Sequence, residues 1–124
     1  MDVAASVVVG LVALVHVYFL VLEMFLWRTP RVRAIFGTTE EVAESSAVLA
    51  ANQGLYNGFL AAGLVFGLVA GGPDASVGFP VTVFFLACVI VAGLYGAATA
   101  NRRILLVQAL PGAVALGLVL FAHS

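Results

Sequence analysis

His16 and Glu23 are ionisable residues inside an otherwise apolar run, Val3 to Trp27. Seven positions separate them, so two helical turns put both on nearly one stripe, about 10 Å apart along the axis; Leu20 and Trp27 continue it. A charge at a bilayer centre costs about 2.5–3.5 kcal/mol on insertion scales, so such groups face a protein interior or a cavity. Glu23 is therefore the candidate acid or base. Its structural alternative is a snorkelling or paired carboxylate that reaches water, Arg28 or a donor on a neighbouring helix. His16 lies deeper and reads either as a ligand contact or as a hydrogen-bonded core histidine. Together they offer two metal ligands at most, because His123 is at the far end of the chain, so no metal is assigned.

The other polar side chains within apolar runs fall into helical rows. Asn52 and Tyr56 are i, i+4 neighbours, and Gln53 and Asn57 form a second such pair, placing four polar residues in six consecutive positions. Tyr95, Thr99 and Arg102 follow Cys88 and Ala92 at helical spacing. Gln108 comes one turn into the last run, where Pro111 bends or opens the helix. In the arrangement derived below, Glu23, Trp27, Asn52, Gln53, Tyr56, Asn57, Tyr95, Thr99 and Gln108 all map to the cytoplasmic half. Convergence at one depth suits a ligand pocket, because helical assemblies build sites from inward positions. The bland alternative is interhelical hydrogen bonding by Asn, Gln and Thr.

The elements that must position these groups follow from composition. The chain of 124 residues is 64% hydrophobic and 9% charged, with a mean hydropathy of +1.19; a soluble domain carries about 25% charged residues. This predicts an integral membrane protein. Five basic against six acidic side chains leave no basic excess for nucleic acid. Crossing roughly 30 Å of hydrocarbon takes about 20 helical residues, and four runs qualify, spanning approximately 3–27, 47–70, 80–100 and 104–122. The expected fold is all-α, a four-transmembrane-helix bundle forming one domain over residues 1–124. Arg28, Arg31 and Arg33 lie in the loop 28–46, and Arg102 and Arg103 between the last two spans, so those loops are cytoplasmic. Both termini, with His123 and Ser124, then lie on the non-cytoplasmic side of a multi-pass inner (plasma) membrane protein.

Within the first loop, Thr38 and Glu41 have the form of a capping box, and Glu40, Glu41 and Glu44 suit a helix amino terminus. The second helix is therefore expected to begin near Thr39, with Pro30 and Gly37 shaping the chain before it and Ile35 and Phe36 in the interface. Gly71, Gly72, Pro73 and Asp74 form a turn cluster. Gly54 with Gly58, Gly63 with Gly67 and Gly71, Ala92 with Gly96, and Ala113 with Gly117 have small-xxx-small spacing, which marks helix packing within one chain or between subunits. Cys88 is the sole cysteine, so no intrachain disulfide forms. No CxxC pair, HExxH, phosphate loop or GxSxG elbow names a cofactor.

The strings HVYFLVLEMFLW at His16 to Trp27, NQGLYNGFLAAGL at Asn52 to Leu64, AGLYGAAT at Ala92 to Thr99 and QALPG at Gln108 to Gly112 resemble the small bacterial membrane proteins of domain-of-unknown-function family 1304. The resemblance covers nearly the whole chain and implies a four-span membrane protein with no established reaction. A weaker likeness is to the MAPEG family, whose second-helix motif is Arg, Asn four later, then Glu and Tyr. Those positions read Val48, Asn52, Leu55 and Tyr56 here, so Asn and Tyr match while Arg and Glu are replaced. Tyr95 and Arg102 match that family's Tyr and Arg at the end of helix three. The likeness implies residues that bind glutathione between subunits of a trimer and stabilise its thiolate. With Val48 and Leu55 in place, glutathione's carboxylates and amine would lack counterions.

The leading expectation is a small lipophilic or amphipathic ligand bound, and transformed if the protein is an enzyme, in the cytoplasmic half of a monomer or of a homodimer or homotrimer. In it, Glu23 acts as acid or base, Tyr56 and Tyr95 donate hydrogen bonds to a developing oxyanion, and Arg102 holds an anionic group. His16, Trp27, Asn52, Gln53, Asn57, Thr99 and Gln108 complete the pocket. Two other classes compete: a proton-coupled transporter, suggested by one membrane Glu in a chain of this size, and an accessory or assembly subunit whose glycine faces dock a larger partner. One-sided arginines and the position of Glu23 near a helix end weigh against the transporter.

Overall fold

A computed structural model describes residues 2–123; Ser124, which the sequence places on the outer side with His123, lies outside the described residues. The regular structure among them is helical throughout: α1 (Val3–Met24), α2 (Pro30–Phe36), α3 (Glu40–Ser45), α4 (Ala47–Val69), α5 (Gly78–Thr99), a π-helical turn (Leu105–Ala109) and α6 (Leu110–His123). Among the described residues, three segments are long and apolar enough to cross a membrane, Val3–Met24, Gly78–Thr99 and Leu105–His123. Helix α4 has the length, 23 residues, but Asn52, Gln53, Tyr56 and Asn57 dilute its apolar character.

The chain divides into two units, one made of the segment up to Leu14 with Leu60 onward, the other Val15–Phe59. The core of the first is a cluster of Ala5, Val9, Val12, Ala13, Leu64, Leu86, Val89, Ala115 and Val119, all buried. Helical periodicity explains the set: Thr82, Leu86, Val89 and Gly93 form one stripe of α5, and Gly112, Ala115 and Val119 one stripe of α6. The opposite faces carry large apolar side chains outward, with Leu14 63%, Val91 66% and Phe121 80% exposed. Apolar groups both inside and outside are what a lipid solvent requires.

In the same unit, a Cβ added at Gly93 would sit 2.9 Å from the Ala109 backbone nitrogen, so this glycine lets α5 approach the π-helical turn. That turn answers the expectation at Pro111. Proline cannot donate to the carbonyl four residues back and its ring clashes there; the helix widens before it, with Leu110 N–H donating to Leu105 C=O. Gln108 Nε2 reaches across to Val89 C=O at 3.1 Å. Gly71 and Gly72 take positive φ, 108° and 102°, making the expected turn after α4. The His123 ring stacks on Phe79 with centroids 3.6 Å apart.

The second unit contains a helix that the composition does not announce. Thr29 caps α2 by accepting from Val32 N–H, Pro30 occupies its first turn, and Gly37 ends it at φ 69°, donating to Arg33 C=O. Pro30 and Gly37 therefore bracket a helix rather than a loop. The cap of α3 is also displaced by one residue from the expected box: Thr39, not Thr38, accepts from Val42 N–H at 3.2 Å. Ser46 alone separates α3 from α4, its hydroxyl donating back to Val42 C=O at 2.6 Å. Such back-bonding competes with the helical ladder and bends the chain.

Candidate functional site

Within the Val15–Phe59 unit, the end of α1 meets the start of α4 at close range, and two glycines permit it. A Cβ at Gly54 would lie 2.7 Å from Met24 Cγ, 3.1 Å from Glu23 Cβ and 3.2 Å from Leu20 C=O, and one at Gly58 would lie 2.7 Å from Leu20 Cδ1. The Gly54 and Gly58 spacing thus serves packing inside the chain. It also brings Asn57 to Glu23: the amide Nδ2 donates to Oε1 at 2.5 Å. Glu23 is 5% exposed. Of the partners open to it by sequence, it takes a donor on a neighbouring helix rather than Arg28.

Helix α1 ends at Met24, and the Leu26 N–H reaches back five residues to Val21 C=O. The chain turns there, leaving Trp27 half-buried beside the entry to α4. Its indole Nε1 donates to Ser46 Oγ at 3.1 Å, and its ring lies 5.0 Å from that of Phe36. The Ser46 hydroxyl therefore accepts from Trp27 while donating its single proton to Val42, so the turn after α1 and the junction of α3 with α4 are tied at one atom. Between these elements opens a cleft of about 510 Å³. Glu23, Met24, Trp27, Arg28 and Thr29 line one side; Ala47, Val48 and Ala51 line the other. A carboxyl, an indole, a guanidinium and a hydroxyl face small apolar side chains, a lining that suits a molecule with one polar and one apolar end.

The residues singled out from the sequence divide by place. Glu23 and Trp27 line the cleft, and Asn57 is bonded to Glu23. His16 is fully buried on α1, its ring edge-on to Phe19 at 5.3 Å. Asn52 is exposed and donates to Val48 C=O of its own helix at 2.8 Å. Gln53 is exposed, and Tyr56 is 60% exposed with its ring 6.1 Å from Phe59. In the other unit, Tyr95 is 72% exposed, Thr99 donates to Tyr95 C=O at 2.7 Å, Arg102 is exposed and half-buried Gln108 bonds to Val89. Ser46, Thr29 and the small wall Ala47, Val48 and Ala51 were not foreseen. The available signal for Ser46 was an indole N–H at the membrane edge in need of an acceptor.

Comparison with known proteins agrees with the resemblance drawn from the four helical strings. The family described as a protein of unknown function, DUF1304, matches residues 10–120. The uncharacterized protein YpaA of Lactococcus lactis is 33% identical over 100 residues, covering 79% of this chain and 81% of that protein. No solved structure matches. The chain belongs to the DUF1304 family.

Proposed function

We propose that this DUF1304 protein is a multi-pass protein of the cell's inner (plasma) membrane that binds one small amphipathic molecule in the cleft at Glu23 and Trp27. Helix α4 is its fourth span. At 1.5 Å per residue its 23 residues rise about 35 Å, enough for a bilayer core, and it contains no charged side chain. All five arginines then share the cytoplasmic side, as the positive-inside rule asks, and both chain ends lie outside.

The observation that carries the binding proposal is the Asn57 to Glu23 hydrogen bond at the edge of the cleft. A nearly buried carboxyl in an apolar chain is expensive unless it is partnered, and here it is both partnered and at a cavity wall. The volume, about 510 Å³, falls in the range of small-molecule sites, roughly 300–1,000 Å³. In this proposal Ala47, Val48 and Ala51 take the apolar body of the ligand, Arg28 and Thr29 its polar end, and Glu23 is the group able to exchange a proton with it.

Native mass spectrometry of protein released from lipid nanodiscs tests this. Wild type is expected to carry one defined small molecule that is lost in Ala51→Trp, which fills the cleft, and reduced in Glu23→Gln. Wild type and Ala51→Trp carrying the same complement of small molecules, both folded, would overturn it.

A further inference from the structure

Among the described residues, α4 lacks the overall apolar character that lets Val3–Met24, Gly78–Thr99 and Leu105–His123 cross a membrane. Its unbroken apolar stretch, Phe59 to Val69, rises only about 16 Å, half of a bilayer core of roughly 30 Å. If α4 crosses the membrane, as the proposed function holds, the Asn52 to Asn57 segment lies in hydrocarbon. Asn57 is bonded to Glu23 and Asn52 to its own helix. Gln53 and the Tyr56 hydroxyl bond to nothing among the described residues, and both side chains are exposed. Lipid tails offer an amide no partner.

The face that carries them is continuous. Val48 is 74% exposed, Leu49 73% and Tyr56 60%, with Asn52 and Gln53 exposed between them and no charged side chain in the stretch. Copies inserted with one orientation meet around an axis normal to the membrane, so each residue lies at the same depth as its counterpart and those nearest the axis face it. A charged group in that position repels itself. An amide is donor and acceptor at once and satisfies its own copy. We infer that α4 is the self-association face of a homo-oligomer, in which Gln53 side chains of adjacent copies hydrogen-bond to one another within the membrane. Val48 belongs both to this face and to the lining of the cleft, so the adjacent copy supplies a wall that the single chain leaves open.

Cysteine cross-linking in native membranes tests the inference with the full chain. In a Cys88→Ala background, Leu49→Cys, 73% exposed on the same face and leaving Gln53 in place, is expected to form a disulfide-linked species of twice the chain mass on treatment with copper phenanthroline. Leu14→Cys, 63% exposed on α1, is expected to remain monomeric. A second measurement is the oligomer mass of Gln53→Leu in native mass spectrometry, expected to shift to monomer while wild type stays assembled. Equal cross-linking at Leu49→Cys and Leu14→Cys, or a monomeric wild type, overturns the inference. A membrane-impermeant maleimide separates the two proposals. Rapid labelling of Gln53→Cys from water removes α4 from the membrane and with it the premise; protection without cross-linking leaves the four-span reading standing and rejects self-association along α4.

Discussion

Replacing Asn57 by Leu isolates the contact on which the cleft's polar wall depends. The amide donates to Glu23 Oε1 at 2.5 Å and Glu23 is 5% exposed, so the nearly buried carboxyl loses its protein donor. Leaving a buried acceptor unmade costs about 1–3 kcal/mol; at about 1.4 kcal/mol per tenfold, this raises the unfolding equilibrium constant about 5- to 140-fold. Glu23→Leu strands the Asn57 amide instead, and since that residue is only half-buried the loss falls near the lower end, about 1 kcal/mol. The double variant removes both polar groups, and replacing a buried polar pair by apolar side chains is often neutral. Independent effects would sum to about 2–4 kcal/mol. Coupled ones leave the double variant more stable than Asn57→Leu alone, with an interaction of at least about 1 kcal/mol. Trp27 is the sole tryptophan and lines the same cleft, so its emission during unfolding in mixed micelles reads all four proteins at the relevant place. Losses that add to within about 0.5 kcal/mol would refute the argument.

Three further outcomes follow from other contacts. Ser46→Ala removes the acceptor of the Trp27 indole and should cost about 0.5–1.5 kcal/mol while shifting Trp27 emission; an unchanged spectrum counts against the tie. Gly54→Val drives a side chain onto Met24, Glu23 and the Leu20 carbonyl, with an expected loss of about 1–3 kcal/mol and a shrunken Glu23–Asn57 coupling energy in the cycle above; full retention of both would mean that the helices are not held at this distance. Gly93→Ala meets the Ala109 backbone, whereas Gly117 has nothing within 4 Å; the first should lose about 1–3 kcal/mol and Gly117→Ala should be neutral or gain about 0.5–1 kcal/mol, so equal unfolding midpoints for the pair would contradict the packing.

Of the cleft lining, Glu23 and Trp27 were singled out by sequence, and what was legible differs residue by residue. Glu23 stood out because hydrocarbon penalises a charge, and Gly54 with Gly58 because their spacing leaves one helix face without side chains. The partner of Glu23 was not legible: Arg28, water and a helix donor were equally open by sequence, and only the approach of α4 selects Asn57. Thr38 and Thr39 are interchangeable as cap candidates in composition, and backbone direction at the start of α3 decides for Thr39. Tyr56 and Asn57 are adjacent in sequence and differ by about 100° around the helix, which turns one outward and the other onto Glu23.

The sequence by itself determined the all-helical, membrane-type character of the chain, the turn at Gly71 and Gly72, the opening of the helix at Pro111 and the family. These are set by local composition: run length against bilayer thickness, the φ freedom of glycine, the missing N–H of proline. The tertiary structure decided which polar residues meet, that Trp27 is held by Ser46, and that small side chains of α4 leave a cleft opposite Glu23 and Arg28. Periodicity states which residues share a face of a helix; it does not state which face of which helix that face will meet, because that choice is made by packing between segments far apart in the chain.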